Sequence, residues 1–305
     1  MIVPNRLQTG DLVSVIAPAS PPCLENLQQG LVFLKSIGLR VQLGKQVDQV
    51  HGYLAGTDAE RLADFHEAVA NPEVKAIFFA RGGYGTGRFV ADLDYELIRK
   101  NPKIIWGYSD ITYLHTAIRQ MSQLITFHGP MIESDMAKSN VDERTKEMFQ
   151  QLFTSQSIYY SESISALKVL VPGEASGEVV GGNLTILTST FGTCFEIDLK
   201  DKIVLIEDIG EEPYRVDAML NQWKLAGKLS EIAGIMVGNF SKATPSRKPS
   251  FELGEVFQHY LSTLACPVMT GFQIGHCTPH IAVPFGVQAT MNTKRKTVMI
   301  DPGVI

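Results

Sequence analysis

Apolar runs that alternate with amphipathic segments are the feature that most restricts the fold of this chain. Short runs with the composition of buried strands occupy residues 12–17, 39–41, 74–80, 104–106 and 124–127. Between them, leucines at three- and four-residue steps predict a helix between Leu24 and Leu34. A capping box at Thr57 predicts a second helix through Ala70, and a third is predicted over 142–153. This alternation predicts a doubly wound parallel α/β sheet, whose ligands bind at the carboxyl ends of the strands.

The second half of the chain has a different composition and a different pattern of apolar residues. A polar, serine-rich stretch over 156–170 reads as a linker between a first domain (1–155) and a second (171–305). Beyond it, glycine-punctuated apolar pieces alternate with two amphipathic segments near 216–225 and 251–264. These patterns predict an α+β domain with a mixed or barrel-like sheet.

Composition narrows the functional classes. The chain of 305 residues has a net charge of −5, so a nucleic-acid partner is not expected. Its four cysteines are scattered without metal-binding spacing, which favours a reduced compartment and no metal. No apolar run approaches the roughly 18 residues of a membrane helix, and the N-terminus lacks the pattern of a signal peptide. We therefore expect a cytoplasmic protein with no membrane association.

One strand runs directly into a helix at a serine. The apolar run 104–106 breaks at Gly107, and apolar residues resume at helical spacing from Ile111. Ser109 then lies on the turn, with backbone N–H groups of a helix N-terminus beside it. This arrangement is typical of a nucleophile elbow, although Ile111 stands where the Gly-x-Ser-x-Gly signature requires glycine. The alternative is that Ser109 or Asp110 only caps the helix.

A serine nucleophile needs a base and a group that orients the base. Among seven histidines, His276 and His280 lie in a loop, where chemistry is more common than on a helix face. His128 ends the fifth strand and is a candidate supporting residue. Glu207 directly follows the apolar run 203–206 and could orient a histidine. The acidic residues after it are assigned to a solvated turn: Asp208, Glu211 and Glu212.

A glycine-rich loop follows the third strand. Residues 81–87, hereafter the glycine loop, contain four glycines but match neither the dinucleotide-binding nor the P-loop pattern. Glycines there would let the backbone approach a substrate and offer N–H donors to an oxyanion. A tight turn into a helix explains them equally well.

Together these stretches resemble the LD-carboxypeptidase (muramoyl-tetrapeptide carboxypeptidase) family of serine peptidases. The matching segments are 17–21 (APASP), 80–85 (ARGGYG), 107–110 (GYSD), 181–184 (GGNL), 207–208 (ED) with 213–215 (PYR), and 275–276 (GH) followed by 284–286 (PFG). The resemblance implies a flavodoxin-like N-terminal domain, a C-terminal swivelling-barrel domain, a homodimer, and neither metal nor cofactor. It also implies a Ser-Glu-His triad, which maps onto Ser109, Glu207 and His276.

The implied reaction releases terminal D-alanine from murein tetrapeptides in cytoplasmic cell-wall recycling, through an acyl-enzyme on Ser109. Because serine and base come from different domains, the site is expected between them. The elbow and the glycine loop suggest the N–H groups of Gly83 and Asp110 as the oxyanion hole. Candidates for substrate binding are Arg81, Tyr84, Asn183 and Arg215, with Arg88 a further cation for a terminal carboxylate.

Two alternatives remain open. A sister branch of the family hydrolyses peptidyl- or aminoacyl-nucleotide antibiotics and confers immunity to microcins. It would need an aromatic platform for a base, and no extra aromatic loop is evident near Trp223 or Phe251. The other alternative is a non-catalytic module that binds a small ligand, which would have no need of Ser109, Glu207 and His276 together.

Overall fold

The structure, a computed structural model, describes all residues from Met1 to Ile305. Its strands are β1 (Leu12–Ile16), β2 (Arg40–Leu43), β3 (Val74–Phe79), β4 (Ile104–Gly107), β5 (Thr126–His128), β6 (Ile158–Tyr160), β7 (Lys168–Val171), β8 (Glu174–Asn183), β9 (Ile203–Ile209), β10 (Gly234–Ser241), β11 (Val268–Thr270), β12 (Val283–Phe285), β13 (Gln288–Asn292) and β14 (Thr297–Ile300). Its α-helices are α1 (Leu24–Ser36), α2 (Asp58–Ala70), α3 (Tyr95–Lys100), α4 (Thr112–Ser122), α5 (Glu143–Glu147), α6 (Leu184–Ser189), α7 (Pro213–Leu225) and α8 (Leu253–Leu261). None of these helices is long and apolar enough to cross a bilayer.

The chain forms two compact units. Unit 1 comprises Met1–Gln156, Ile281–Phe285 and Pro302–Ile305, and unit 2 comprises Ser157–His280 and Gly286–Asp301. The two C-terminal segments of unit 1 fall within 171–305, which the sequence assigned entirely to the second domain. The last of them is held by backbone hydrogen bonds, since the Ile305 carbonyl accepts from Arg6 N–H at 3.0 Å and its N–H donates to Pro4 at 3.2 Å.

Unit 1 is built on a six-stranded sheet in the order β12-β5-β4-β3-β1-β2. Strands β1 to β5 are mutually parallel, and β12 pairs antiparallel with β5. The parallel part has the strand order 2-1-3-4-5 of flavodoxin-like folds, so the predicted doubly wound sheet is confirmed. Such a sheet brings the loops after β1, β3, β4 and β5 to one edge, where the candidate residues of this unit lie.

The helices of unit 1 follow their local signals closely. At the capping box, Thr57 Oγ1 accepts the N–H of Glu60 at 3.3 Å, and Glu60 Oε2 accepts the N–H of Thr57 at 2.8 Å. The helix predicted over 142–153 is divided into α5 and a 3₁₀ segment, Met148–Leu152. Helix α3 has only six residues, too few for apolar periodicity to reveal it.

An aromatic cluster anchors β4 below the elbow. The ring of Trp106 packs on Phe149 at 4.7 Å and on Phe127 at 6.0 Å between centroids, and all three side chains are fully buried. The indole N–H donates to the Pro130 carbonyl at 2.7 Å. Packing of this kind holds the strand rigid up to the residue at which it turns.

Unit 2 contains a curled, eight-stranded mixed sheet in the order β6-β14-β13-β8-β9-β10-β11-β7. Strands β8 to β11 are parallel at its centre, and the flanking pairs are antiparallel. The α+β prediction with a barrel-like sheet is thus confirmed. Helices α6, α7 and α8 cover the central strands over a core that includes Trp223, Leu220 and Leu261.

The segment 156–170 is not a linker. It contains β6, which pairs with β14, and the first residues of β7, which pairs with β11. Both are terminal strands of the sheet, and some of their side chains are exposed, as at Tyr159 and Val169, although Tyr160 is fully buried. Edge strands have little apolar surface to bury, which is why this stretch has the composition of a linker.

Candidate active site

The turn after β4 has the geometry of a nucleophile elbow. Ser109 adopts a left-handed backbone conformation, with φ of 64°, and is partly exposed. Non-glycine residues rarely accept this conformation, and such strain is concentrated at functional sites. A single 3₁₀ turn, Ser109–Ile111, then leads into α4. Neither Ser109 nor Asp110 caps the helix through its side chain, so the capping alternative is wrong.

Asp110 joins the elbow to the glycine loop. Its carboxylate accepts the N–H of Thr86 at 2.9 Å, and its backbone carbonyl accepts the Thr86 hydroxyl at 2.7 Å. Burial raises the pKa of the Asp110 carboxyl, and the hydrogen bonds from Thr86 oppose that rise. The side chain therefore fixes the loop beside the serine and leaves the Asp110 N–H outside these contacts.

Two glycines of this loop lie in close contact with serine side chains. A Cβ on Gly82 would lie 3.1 Å from Cβ and 3.2 Å from Oγ of Ser109. Gly83 has φ of +114°, and a Cβ there would lie 2.3 Å from Ser20 Oγ. That same Ser20 hydroxyl accepts the N–H of Tyr84 at 3.3 Å, and Ser20 N–H donates to the Gly82 carbonyl at 3.3 Å. The loop is thus more than a tight turn, because its backbone packs directly on the candidate nucleophile.

Arg61 braces the loops of this edge and was not identified from the sequence. Its side chain is buried, donates to the carbonyls of Pro18 and Gly85, and lies over the ring of Phe89 at 5.0 Å. It also pairs with Asp58. On a helix, an arginine three residues after an aspartate reads as an exposed ion pair, so nothing local signalled its burial.

Two histidines of unit 1 lie behind the elbow, on the apolar side. His115 Nε2 is 2.8 Å from the Gly107 carbonyl, and burial lowers the pKa of the imidazole to about 3. His128 is fully buried, with its ring 5.5 Å from that of Tyr108 and 5.6 Å from that of Phe285. Both histidines support the packing around the elbow.

In unit 2, Glu207 and His276 form a hydrogen-bonded pair. Nδ1–H of His276 donates to Glu207 Oε2 at 2.7 Å, and the glutamate is fully buried whereas the histidine is partly exposed. Gly275 precedes the histidine with φ of +102°, and a Cβ there would lie 2.4 Å from the Glu207 oxygen. A carboxylate at Nδ1 fixes the tautomer, leaves Nε2 as the base, and stabilises the imidazolium that forms on protonation.

Asp208 does not belong to a solvated turn, so that assignment is wrong. Its side chain is buried and accepts from Asn183 Nδ2 at 2.8 Å and from the N–H and hydroxyl of Thr185 at 2.9 and 2.8 Å. Asn183 in turn accepts the N–H of Ile186 and caps α6. Burial, and then the neighbouring Glu207 carboxylate, raise the pKa of Asp208. A six-residue helix starting there was not visible in the sequence.

The remaining candidates differ in their surroundings. Tyr84 is exposed and meets Tyr53 edge-on, with ring centroids 5.7 Å apart. Arg88 pairs with Asp58, and Arg215 pairs with Glu211.

Arg81 forms no ion pair within the protein, and its Nε is buried with no acceptor. His280 is buried and is the last residue of the first chain segment of unit 2.

The candidates therefore come together in two groups. In unit 1, Ser109 and Asp110 adjoin the glycine loop with Gly83; in unit 2, Glu207 contacts His276. An elbow serine and a carboxylate-oriented histidine are the chemical groups of a serine-type hydrolase.

Comparison with known proteins defines the family. Models of the LD-carboxypeptidase N-terminal and C-terminal domains match residues 13–129 and 176–291. A probable murein peptide carboxypeptidase of Bacillus subtilis is 53% identical over 99% of this chain and 95% of its own length. The chain belongs to the LD-carboxypeptidase family and is a peptidase, which excludes the non-catalytic binding module.

Two further proteins similar to this chain differ in the activities that their names describe. The crystal structure of muramoyltetrapeptide carboxypeptidase from Oxalobacter formigenes superposes with a TM-score of 0.85, at 31% identity, over 95% of this chain and 98% of that one. The microcin C7 self-immunity protein MccF of Escherichia coli is 31% identical over 96% of this chain and 94% of its own length. Its complex with glutamyl sulfamoyl guanosine superposes with a TM-score of 0.91, at 26% identity, over 99% of this chain and 98% of that one.

Proposed function

We propose that this carboxypeptidase releases terminal D-alanine from murein tetrapeptides by hydrolysing the amide between an L-centre and the D-residue. Ser109 is the nucleophile, His276 the general base and Glu207 the group that orients it. The closest support for the substrate is the 53% identity to a probable murein peptide carboxypeptidase. We further propose that the reaction takes place in the cytoplasm, as part of cell-wall recycling, and that the enzyme acts as a homodimer.

The proposed reaction has two halves. Ser109 Oγ attacks the scissile carbonyl carbon while its proton moves to Nε2 of His276. The N–H groups of Gly83 and Asp110 stabilise the oxyanion. The imidazolium then donates the proton to the departing amine, which leaves as D-alanine, and an acyl ester remains on Ser109. Water attacks the ester with His276 again as base, and the shortened peptide leaves with a new carboxylate.

The observation that carries this mechanism is the hydrogen bond of 2.7 Å between His276 Nδ1 and the fully buried Glu207. A buried carboxylate that binds one nitrogen of a partly exposed imidazole stabilises the ring when its other nitrogen accepts a proton. This is the role of the carboxylate beside a general base. The strained backbone at Ser109 supports the same interpretation independently.

The direct test incubates the purified protein with a murein tetrapeptide that ends in D-alanine and measures free D-alanine by mass spectrometry. We expect release by the wild type and a loss on the order of 10⁶-fold in turnover for Ser109→Ala. The matched peptide that ends in L-alanine should remain intact. If the Ser109→Ala variant released D-alanine as fast as the wild type, the assignment of Ser109 as the nucleophile would be refuted.

A second candidate is hydrolysis of aminoacyl-nucleotide conjugates. It is favoured by the similarity to MccF, whose complex contains glutamyl sulfamoyl guanosine. The exposed pair of Tyr53 and Tyr84 could also serve as an aromatic surface for a base. Cleavage of an aminoacyl nucleotide, with no release of D-alanine from the tetrapeptide, would favour this function over the first.

A further inference from the structure

We propose that Arg81 binds the C-terminal carboxylate of the peptide, and so makes the enzyme a carboxypeptidase rather than an endopeptidase. This inference rests on the proposed function and assigns one of its parts to a residue. A peptide with a free C-terminus presents a carboxylate close to the scissile bond. The site therefore needs a cation or a set of N–H donors to distinguish it from an internal peptide group.

The first alternative cation, Arg88, already has a carboxylate partner. Its Nε lies 2.8 Å from Asp58 Oδ1 and its Nη2 lies 2.8 Å from Asp58 Oδ2, a two-pronged pair. Asp58 also pairs with the buried Arg61. The pKa of Asp58 is lowered, chiefly by the hydrogen bond from Arg88, so the carboxylate stays ionised and the pair stays formed. Binding a substrate through Arg88 would first require this pair to break.

The second alternative, Arg215, is also paired. It lies in the first turn of α7, is exposed, and binds Glu211 one turn earlier in the chain.

Arg81 differs from both. No carboxylate of the protein pairs with it, and its buried Nε has no acceptor. Glu133 is tied to the residue before Arg81, because its N–H donates to the Ala80 carbonyl at 2.8 Å. The Glu133 carboxylate instead contacts Asn26 Nδ2 at 3.4 Å. A partly buried guanidinium without a protein acceptor is costly, and a bound carboxylate would remove that cost.

The position of Arg81 suits this role. It directly precedes Gly82, whose missing Cβ leaves the backbone close to Ser109 Oγ, the distance to an added Cβ being 3.2 Å. In the substrate, three bonds separate the scissile carbonyl carbon from the terminal carboxylate carbon, a span of roughly 4 Å. One loop can therefore provide both the oxyanion donor at Gly83 and the cation for the adjacent carboxylate. A guanidinium also matches a carboxylate with two parallel hydrogen bonds.

The test measures binding and turnover separately. In the Ser109→Ala background, calorimetry compares the tetrapeptide acid with the same peptide carrying a C-terminal amide. We expect the acid to bind more tightly, and Arg81→Gln to weaken acid binding on the order of 10²-fold while amide binding changes by less than about threefold. In the active enzyme, the same substitution should raise KM far more than it lowers kcat. Arg81→Lys, which keeps a charge without the fork, should recover part of the acid preference.

Matched controls decide between the arginines. Arg99→Gln, on the exposed surface of α3, should leave activity and the acid preference unchanged. Arg88→Gln and Arg215→Gln should retain the acid preference, and its loss in either one would overturn the assignment. Retention of the preference in Arg81→Gln would refute this inference alone. Absence of D-alanine release from the wild type would instead refute the proposed function.

Discussion

Ser109 and His276, the proposed nucleophile and the proposed base, lie in different units and have different surroundings. Around Ser109, the decisive features are backbone ones: a left-handed φ of 64° and, in the glycine loop, two glycines whose added Cβ would closely approach Ser109 or Ser20. Around His276, the decisive feature is a fully buried carboxylate, Glu207, held 2.7 Å from the imidazole. We call these regions the serine side and the histidine side.

The difference follows from what each group must do. A serine hydroxyl needs a defined position and an environment that accepts negative charge, and a rigid turn with free N–H donors provides both. An imidazole needs the right tautomer and a stabilised cationic form, which only a charged neighbour provides. Substitutions should therefore act through shape on the serine side and through charge on the histidine side.

Apart from loss of the Ser109 hydroxyl itself, the largest effect is expected from removing the charge on the histidine side. Glu207→Gln keeps the size of the side chain but loses the carboxylate that fixes and stabilises the imidazole. We expect turnover to fall on the order of 10⁴-fold, with little change in thermal stability. Release of D-alanine and the unfolding midpoint, measured on the same preparation, check this prediction.

The neighbouring residue offers a matched control. Asp208→Asn also removes one buried negative charge, but this carboxylate holds the start of α6 rather than the imidazole. We expect it to lower stability by about 1–3 kcal/mol and to leave turnover nearly unchanged. Equal losses of turnover in the two variants would show that general negative charge, and not the contact with His276, matters on this side.

A smaller effect is expected from shape on the serine side. In Gly83→Ala, the new Cβ would meet Ser20 Oγ at 2.3 Å, so the loop must shift and carry its N–H away from the position proposed for the oxyanion. We expect turnover to fall by about 10²–10³-fold. Steady-state kinetics with the tetrapeptide measure this loss.

Gly10→Ala is the control for backbone strain alone. Gly10 has a similar positive φ of +92°, yet no atom lies within 4 Å of the added Cβ. It should cost some stability without affecting turnover. If Gly83→Ala behaves in the same way, the glycine loop contributes to folding and not to the oxyanion hole.

The smallest predicted effect is a pH dependence of stability, and it arises from His115 on the serine side. Burial lowers the pKa of His115 to about 3 from an ordinary value of 6.5. Between these values the unfolded chain binds a proton that the folded protein excludes, so stability falls as the pH falls through this window. The loss is on the order of 1.4 kcal/mol per pH unit, or about 2 kcal/mol between pH 6.5 and 5.

His115→Gln should remove this part of the acid sensitivity, because glutamine does not titrate and can still donate to the Gly107 carbonyl. Urea unfolding at pH 7 and pH 5 measures the difference in unfolding free energy between wild type and variant at each pH. Relative to wild type, the variant should be more stable at pH 5 than it is at pH 7. His259→Gln, at an exposed histidine, should show no such shift. An equal loss of unfolding free energy between pH 7 and pH 5 in wild type and His115→Gln would contradict the prediction.

Local patterns were sufficient for much of this molecule. The doubly wound sheet, the capping box at Thr57 and the turn at Ser109 were all predicted, because periodicity, capping and glycine positions act over a few residues. Arg61 and Asp208 were not recognised, since an arginine on a helix and an aspartate in an acidic run look exposed. Their burial depends on carbonyls and N–H groups that lie 23 to 43 positions away in the chain.

The sequence by itself determined the alternation of strands and longer helices in unit 1, the serine on the turn after β4 and the glycine-flanked histidine. Only the tertiary structure decided that 156–170 supplies edge strands, that Ile281–Phe285 returns to unit 1, and that Glu207 contacts His276. It also decided that, among the candidates Arg81, Arg88 and Arg215, Arg81 is the one without an ion pair. The physical reason is that strand pairing and charge pairing join residues far apart in the chain, and no local pattern records which groups will meet.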